Sequence, residues 1–234
     1  QRLALWGNLN LLDGLPKVNG ASTLVSREWS EVESYLYQRT NAAPANLMDF
    51  LGVTHTTKPG ELMQWERRET AMPLVTFVNG TVELGNGGNF AMMRRADWNP
   101  RVATLIAGRA VSTTGDAAPS PAPSGYGNIR VSKFTTADLE LEVEGNTLPG
   151  VVVAQTFYPS WRATVNGQPA PVLRANHAFQ AIPIPAGKST VRLDYVDWPF
   201  RLGAVISLAA LLGCGALWRW GNAEPQMDTD ETQM

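Results

Sequence analysis

Between Asp138 and Glu144 apolar and acidic residues alternate, with Leu139, Leu141 and Val143 on one side, which is the two-residue period of a strand with one buried face. The pattern returns from Ser189 to Val196, where Val191, Leu193 and Tyr195 point inward. Gly150 to Phe157 is almost continuously apolar and suits a central strand covered on both faces. Asn166-Gly167 separates two short extended segments, and this pair accepts the positive φ that a two-residue hairpin turn requires. Ile129 to Val196 therefore predicts about six or seven short strands stacked as a small antiparallel β-sandwich.

Before residue 112 the pattern is mixed. Ser26 can cap a helix over Arg27–Gln38 whose apolar side carries Trp29, Val32, Leu36 and Tyr35. A second short helix is expected after Pro44, from Asn46 to Leu51, with Gly52 just past its end. Leu74–Val78 and Val102–Ile106 read as buried strands, and Asn89–Ala96 as a short helix carrying Phe90 and Met93. The predicted class is α+β: a mixed α/β part over 1–111, a Pro/Ser/Ala-rich linker over 112–125, the β-sandwich over 126–198, and a single transmembrane helix over 199–219. An acidic tail over 220–234 has the composition of a disordered segment.

The transmembrane reading rests on Leu202 to Trp218, which holds no charged residue and is bracketed by Arg201 and Arg219. As a helix it measures ~26 Å, and Phe200 with the snorkelling arginines extends it toward the ~30 Å of a hydrocarbon core. Trp198 and Phe200 at one end, with Trp218 and Trp220 at the other, stand where aromatic belts lie. A buried core helix of a soluble sugar-binding protein is the competing reading, but such a helix normally keeps a polar face. Gly203 with Ser207 and Ala209 with Gly213 space small residues for close approach of other helices. Charge leaves the orientation open, with one arginine close to each end.

A net charge of -2 with 17% charged residues removes the electrostatic basis for binding nucleic acid. A single cysteine, Cys214, lies in the apolar segment and reads as a small hydrophobe, while His55 and His177 have no ligand-spaced companions, so no metal or cofactor is expected. The chain opens on Gln1 without the basic flank and apolar run of a secretory signal, which reads as part of a longer protein.

Phe157 to Leu208 carries Tyr-Pro-Ser-Trp-Arg-Ala-Thr-Val, the Asn-Gly hairpin, Leu-Arg-Ala-Asn-His-Ala-Phe, a Pro-Ala-Gly-Lys turn, and Phe-Arg-Leu-Gly entering the last apolar segment. In these elements it resembles the end of the YfhO family of bacterial multipass membrane proteins. ALWGNLNLLDGLPKVNGAS near the start, Met72-Pro73, and Asp97-Trp98-Asn99-Pro100-Arg101 point more loosely the same way. The resemblance implies a glycosyltransferase C-type arrangement with further membrane helices upstream in the same protein. It also implies a polar region outside the bacterial cytoplasmic membrane, a cytoplasmic tail, and glycosylation of cell-envelope polymers such as teichoic acids from lipid-linked sugars. In that fold class the catalytic acid lies in an early extracytoplasmic loop, so no catalytic residue is carried onto this chain.

Local chemistry agrees with that restraint. No Gly-x-Ser-x-Gly elbow or triad context is present, Glu140, Glu142 and Glu144 share the solvated face of one strand, and Gly85-Asn86-Gly87-Gly88 lacks the Lys-Ser or Lys-Thr of a phosphate loop. Tyr158, Trp161, Arg162, Arg174, Asn176 and His177 are the candidate glycan contacts, because aromatic rings with amide and guanidinium donors suit sugars and phosphates. The plainer alternative puts Tyr158 and Trp161 in the sandwich core with Arg162 paired to a carboxylate. The functional expectation is a bilayer-attached accessory region that contacts an envelope glycan; the alternative is a structural or protein-interaction module that binds no sugar.

Overall fold

The computed structural model describes residues 17–18, 25–37, 44–58, 60–78, 80–84, 88–107, 127–146 and 149–221. The expected 112–125 linker, the start of the chain and the tail beyond 221 lie outside these residues. The chain divides into two compact units, Gln1–Tyr195 and Val196–Met234.

In the first unit, α1 (Arg27–Tyr37) begins where Ser26 Oγ accepts the Trp29 N–H at 3.2 Å, filling one of the donors a helix start leaves open. Its buried residues, Val32 and Leu36, are one turn apart. Helix α2 (Ala45–Phe50) follows Pro44 and turns out through Gly52 at φ +66. β1 (His55–Lys58) and β2 (Glu61–Arg67) form a separate two-stranded ladder. β3 (Val75–Phe77), β4 (Thr81–Leu84), α3 (Gly88–Met93) and β5 (Thr104–Ala107) complete the earlier half.

The later half supplies β6 (Asn128–Phe134), β7 (Asp138–Asn146), β8 (Gly150–Val153), β9 (Trp161–Val165), β10 (Gln168–Ala170), β11 (Leu173–Ala175), β12 (Phe179–Pro183) and β13 (Gly187–Tyr195). These strands fall into two sheets. One has the order β10-β9-β13-β7-β6 and is antiparallel throughout. The other runs β3-β8-β12-β11-β5-β4, so strands from before residue 108 complete it, and β4 with β5 adds a parallel pair. Hydrophobic alternation marks strands and not their partners, and so does not reveal this sharing.

Alternating burial organises the layers. Leu139, Leu141, Val143, Trp161, Ala163, Val165, Val191 and Leu193 of the five-stranded sheet meet Val75, Val151, Val153 and Ile182 of the six-stranded sheet in one apolar cluster. Val152, Phe179 and Ala181, on the opposite side of the six-stranded sheet, join Val32 and Leu36 of α1, Leu47 and Phe50 of α2, and Met93 of α3 in a second cluster. Gly150–Val153 is buried at every position because β8 is covered on both faces, as its unbroken apolar run predicts. The outer face of the five-stranded sheet is a charge ladder in which Arg192 reaches Glu140 at 3.5 Å and Lys188 reaches Glu144 at 2.8 Å. The three glutamates of β7 are thus a solvated face with basic neighbours.

The second unit is α4 (Trp198–Gly221), which starts where the Asp197 carboxylate accepts the Phe200 N–H at 3.0 Å. Pro199 falls in the first turn, where its missing N–H leaves no bond unmade. Residues 198–220 are exposed at every position, including Leu211, Leu212 and Trp220. A core helix of a soluble protein is mostly covered, whereas no position of this span is buried. The candidate span, Trp198–Trp220, has 23 residues and hence a length of ~34 Å, enough for a ~30 Å hydrocarbon core.

Candidate functional site

The Leu-Arg-Ala-Asn-His-Ala-Phe segment forms the β11–β12 hairpin, whose turn places Asn176 at φ +43 and His177 at φ +69. Asparagine tolerates this left-handed region because its short amide can satisfy backbone groups. Here Asn176 Oδ1 accepts the Leu105 N–H at 2.9 Å, and the Asn176 N–H donates to the Leu105 carbonyl at 2.6 Å. Asn176 is 1% exposed, so it fastens β5 to the hairpin and presents nothing to solvent.

Its neighbours face α1. His177 Nε2 stands 2.6 Å from Glu31 Oε2, and the imidazole stacks on Phe90 at 4.8 Å between centroids. Arg174 donates to Glu28 and lies over the Phe157 ring at 5.0 Å. Glu28 and Glu31 occupy one face of α1 at i and i+3, and Arg174 and His177 repeat that spacing on the hairpin, so two opposite pairs close together. Partial burial pushes both carboxyls up, but their hydrogen bonds and neighbouring charges prevail: the Glu28 backbone N–H and Arg174 at Glu28, Arg27 and His177 at Glu31. Both glutamates are consequently held below their ordinary value of 4.5.

The aromatic candidates lie elsewhere. Trp161 is 5% exposed within the sheet-to-sheet cluster, edge-on to Tyr195 at 5.3 Å. Tyr158 packs against the same cluster and meets Tyr195 edge-on at 6.5 Å. Arg162 is exposed and folds back on its own segment, donating to the Pro159 carbonyl at 2.6 Å and the Trp161 carbonyl at 3.0 Å. The six candidates therefore do not converge: Arg174, Asn176 and His177 occupy the hairpin near α1, while Trp161 and Arg162 open β9 and Tyr158 lies just before it.

Of the remaining motif segments, Met72-Pro73 and Asp97–Arg101 come together near Trp98, while the one near the start of the chain lies outside the described residues apart from 17–18. That residue is 4% exposed, packs edge-on against Phe50 and donates from Nε1 to the Ala103 carbonyl at 3.3 Å. Asn46 Nδ2 donates to the Trp98 carbonyl at 2.8 Å, and Arg101 donates to the Thr70 carbonyl at 2.5 Å, joining the Asp97–Arg101 segment to the chain entering Met72-Pro73. Among the described residues no group of three His, Cys, Asp or Glu side chains could hold a metal ion.

Sequence reasoning missed a further feature, an open, shallow basin of about 440 Å³ lined by Tyr35, Ala91, Arg94 and Arg95. The Arg94 guanidinium lies over the Tyr35 ring at 5.1 Å and the Phe90 ring at 5.6 Å. Arg94 and Arg95 fall inside the helix expected over Asn89–Ala96 and follow directly on the observed α3, but nothing in the sequence tells that Tyr35 comes up beside them.

Residues 138–207 match the family model of the bacterial membrane protein YfhO. The match begins with the first residue of β7 and extends past β13 into α4. It agrees with the resemblance read from the motifs of 157–208 and, with the exposed apolar helix, marks a membrane protein. Comparison with curated proteins and with solved structures found no match.

Proposed function

We propose that the polar unit works outside the bacterial cytoplasmic membrane as an accessory region in the glycosylation of cell-envelope polymers from lipid-linked sugar. The observation that carries this reading is the family match, whose bounds take in sheet strands and the entry of the apolar helix. On this reading α4 holds the region at the bilayer, its tail is cytoplasmic, and further membrane helices of the same protein would supply the transfer chemistry. The polar unit shapes the acceptor side or holds the polymer.

Two experiments test it. With Cys214→Ala and Ala186→Cys introduced together, a membrane-impermeant maleimide should label intact cells; labelling only after lysis overturns the orientation. Replacing residues 25–195 by a neutral spacer, with membrane insertion preserved, should remove sugar from the envelope polymer; an unchanged sugar content overturns the role.

A second reading, a structural or protein-interaction module without sugar binding, has a specific observation in its favour. Trp161 is core, Asn176 is bonded to β5, and Arg174 and His177 are paired with α1. Retained polymer binding after loss of these pairs, in a folded protein, would show that the hairpin serves architecture and that any ligand binds elsewhere.

A further inference from the structure

The basin beside α3 carries two exposed arginines held in different ways. Arg95 donates from Nε and Nη2 to the two Asp97 oxygens at 2.8 and 2.6 Å, so its charge is locally answered. Arg94, on the same rim, has no carboxylate partner among the described residues and rests on aromatic faces instead. The ring quadrupoles of Tyr35 and Phe90 favour a cation above them without using the N–H donors at the guanidinium edge. The Tyr35 hydroxyl donates to the Arg94 backbone carbonyl at 3.1 Å, and the Arg94 N–H bonds the Phe90 carbonyl at 3.1 Å. The platform and the segment that bears the arginine are therefore fixed to one another.

The geometry points to a binding site for a phosphorylated sugar in this basin, with Arg94 taking the phosphate and the Tyr35 side taking the sugar. Planar guanidinium donors match phosphate oxygens in pairs, which a lysine ammonium does not reproduce. The basin is open and shallow, and its volume of about 440 Å³ is continuous with solvent, so it leaves room beside the arginine for more than a phosphate group alone. Its polar rim and shallow form suit a hydroxylated ring better than an apolar molecule. The inference deepens the proposed role, since it names where that region would hold a phosphate-bearing glycan or lipid headgroup, and none of the six motif-derived candidates takes part.

The full chain in nanodiscs of neutral lipid is titrated calorimetrically with glucose 1-phosphate, inorganic phosphate and glucose. Saturable binding of glucose 1-phosphate is expected, with phosphate weaker and glucose undetectable at millimolar concentration, and with affinity falling as salt is raised. Arg94→Gln should weaken binding by about tenfold or more, and Arg94→Lys should recover only part of it. Ala91→Glu, which adds a negative charge at an exposed lining position, should abolish binding while unfolding stays unchanged. Repeating the titration in discs containing anionic phospholipid separates the sources. A large loss of apparent affinity there assigns the site to a lipid headgroup phosphate, and an unchanged affinity assigns it to a soluble phosphosugar. Equal binding of glucose, no saturable binding by the wild type, or indifference to both Arg94→Gln and Ala91→Glu overturns the proposal. Binding with these properties in a protein whose polar-region replacement leaves polymer sugar intact would instead sink the glycosylation role and leave the site standing.

Discussion

Glu31 and His177 stand 2.6 Å apart although 146 residues separate them, and this contact joins α1 to the turn between β11 and β12. A carboxylate only accepts hydrogen bonds, so the imidazole Nε2 carries the shared proton. Glu28 and Arg174 make the parallel contact at the same separation of 146 residues. The two pairs work as one clasp, which predicts strong coupling. Glu31→Gln and His177→Gln should each lower stability by about 1–3 kcal/mol, and the double variant should cost clearly less than their sum. Thermal unfolding in detergent, followed by tryptophan fluorescence, measures the cycle; strict additivity would show that the pair contributes nothing jointly.

The clasp also sets an acid limit. The carboxyls of Glu28 and Glu31 are held below 4.5 in the folded protein, so each binds a proton more readily after unfolding. Their contribution is fully present above the unfolded value and is lost as pH falls through the lower folded value. The unfolding midpoint should therefore be insensitive to these groups at neutral pH and fall below about pH 4.5. Glu28→Gln/Glu31→Gln should start lower and decline less steeply over that acid range. A double variant whose midpoint parallels the wild type at every pH would remove the clasp from the acid response.

Trp161 decides between a sugar platform and a core side chain. At 5% exposure within the sheet-to-sheet cluster, its removal leaves a large cavity. Trp161→Ala should destabilise the polar unit by about 3–5 kcal/mol. A stable, folded Trp161→Ala protein that loses polymer binding would restore the aromatic to a functional role.

Much of this architecture is legible in the sequence because its signals are local. Ser26 caps α1, Asn166 and Gly167 take φ of +53 and +78 at a hairpin tip, and the alternation around Leu139, Leu141 and Val143 gives the buried face of β7. What the sequence hides is partnership. β3 and β8 pair through Val75 and Val153, an association that no period in either segment encodes. The candidate residues suffered the same blindness: Arg174 and His177 look like ligand donors until Glu28 and Glu31 arrive from the far end of the chain. The matching three-residue spacing of the two pairs was visible, but only the tertiary fold gives it meaning.

Two glycines separate strain from collision. Gly167 has φ +78 with open space where a Cβ would stand, so Gly167→Ala meets only backbone strain and should cost about 1–2 kcal/mol. Gly150 has room for no side chain, because its Cβ would lie 2.8 Å from the Ile182 carbonyl oxygen in the centre of a sheet. Gly150→Ala should be the more damaging change, forcing β8 and β12 apart. Denaturant midpoints of the two variants compare them, and a smaller loss for Gly150→Ala would mean that the ladder yields easily there.

Lipid contact by α4 makes the sharpest prediction about the second unit. The helix exposes Leu208, Leu211 and Leu212 on a segment free of charge between Arg201 and Arg219. In water these side chains would drive aggregation, whereas in hydrocarbon they are at home. A charge near the middle must then be moved into the apolar layer, at about 2.5–3.5 kcal/mol for arginine on the insertion scale. Leu208→Arg should shift the full chain from the alkali-resistant membrane fraction toward the soluble or aggregated fraction, while Trp220→Arg, at the end of the span, should leave it in the membrane. The comparison controls for added charge itself, since both variants gain one arginine and differ only in depth. Equal fractionation of the two would mean that position along α4 carries no energetic penalty, which is incompatible with a helix crossing a bilayer.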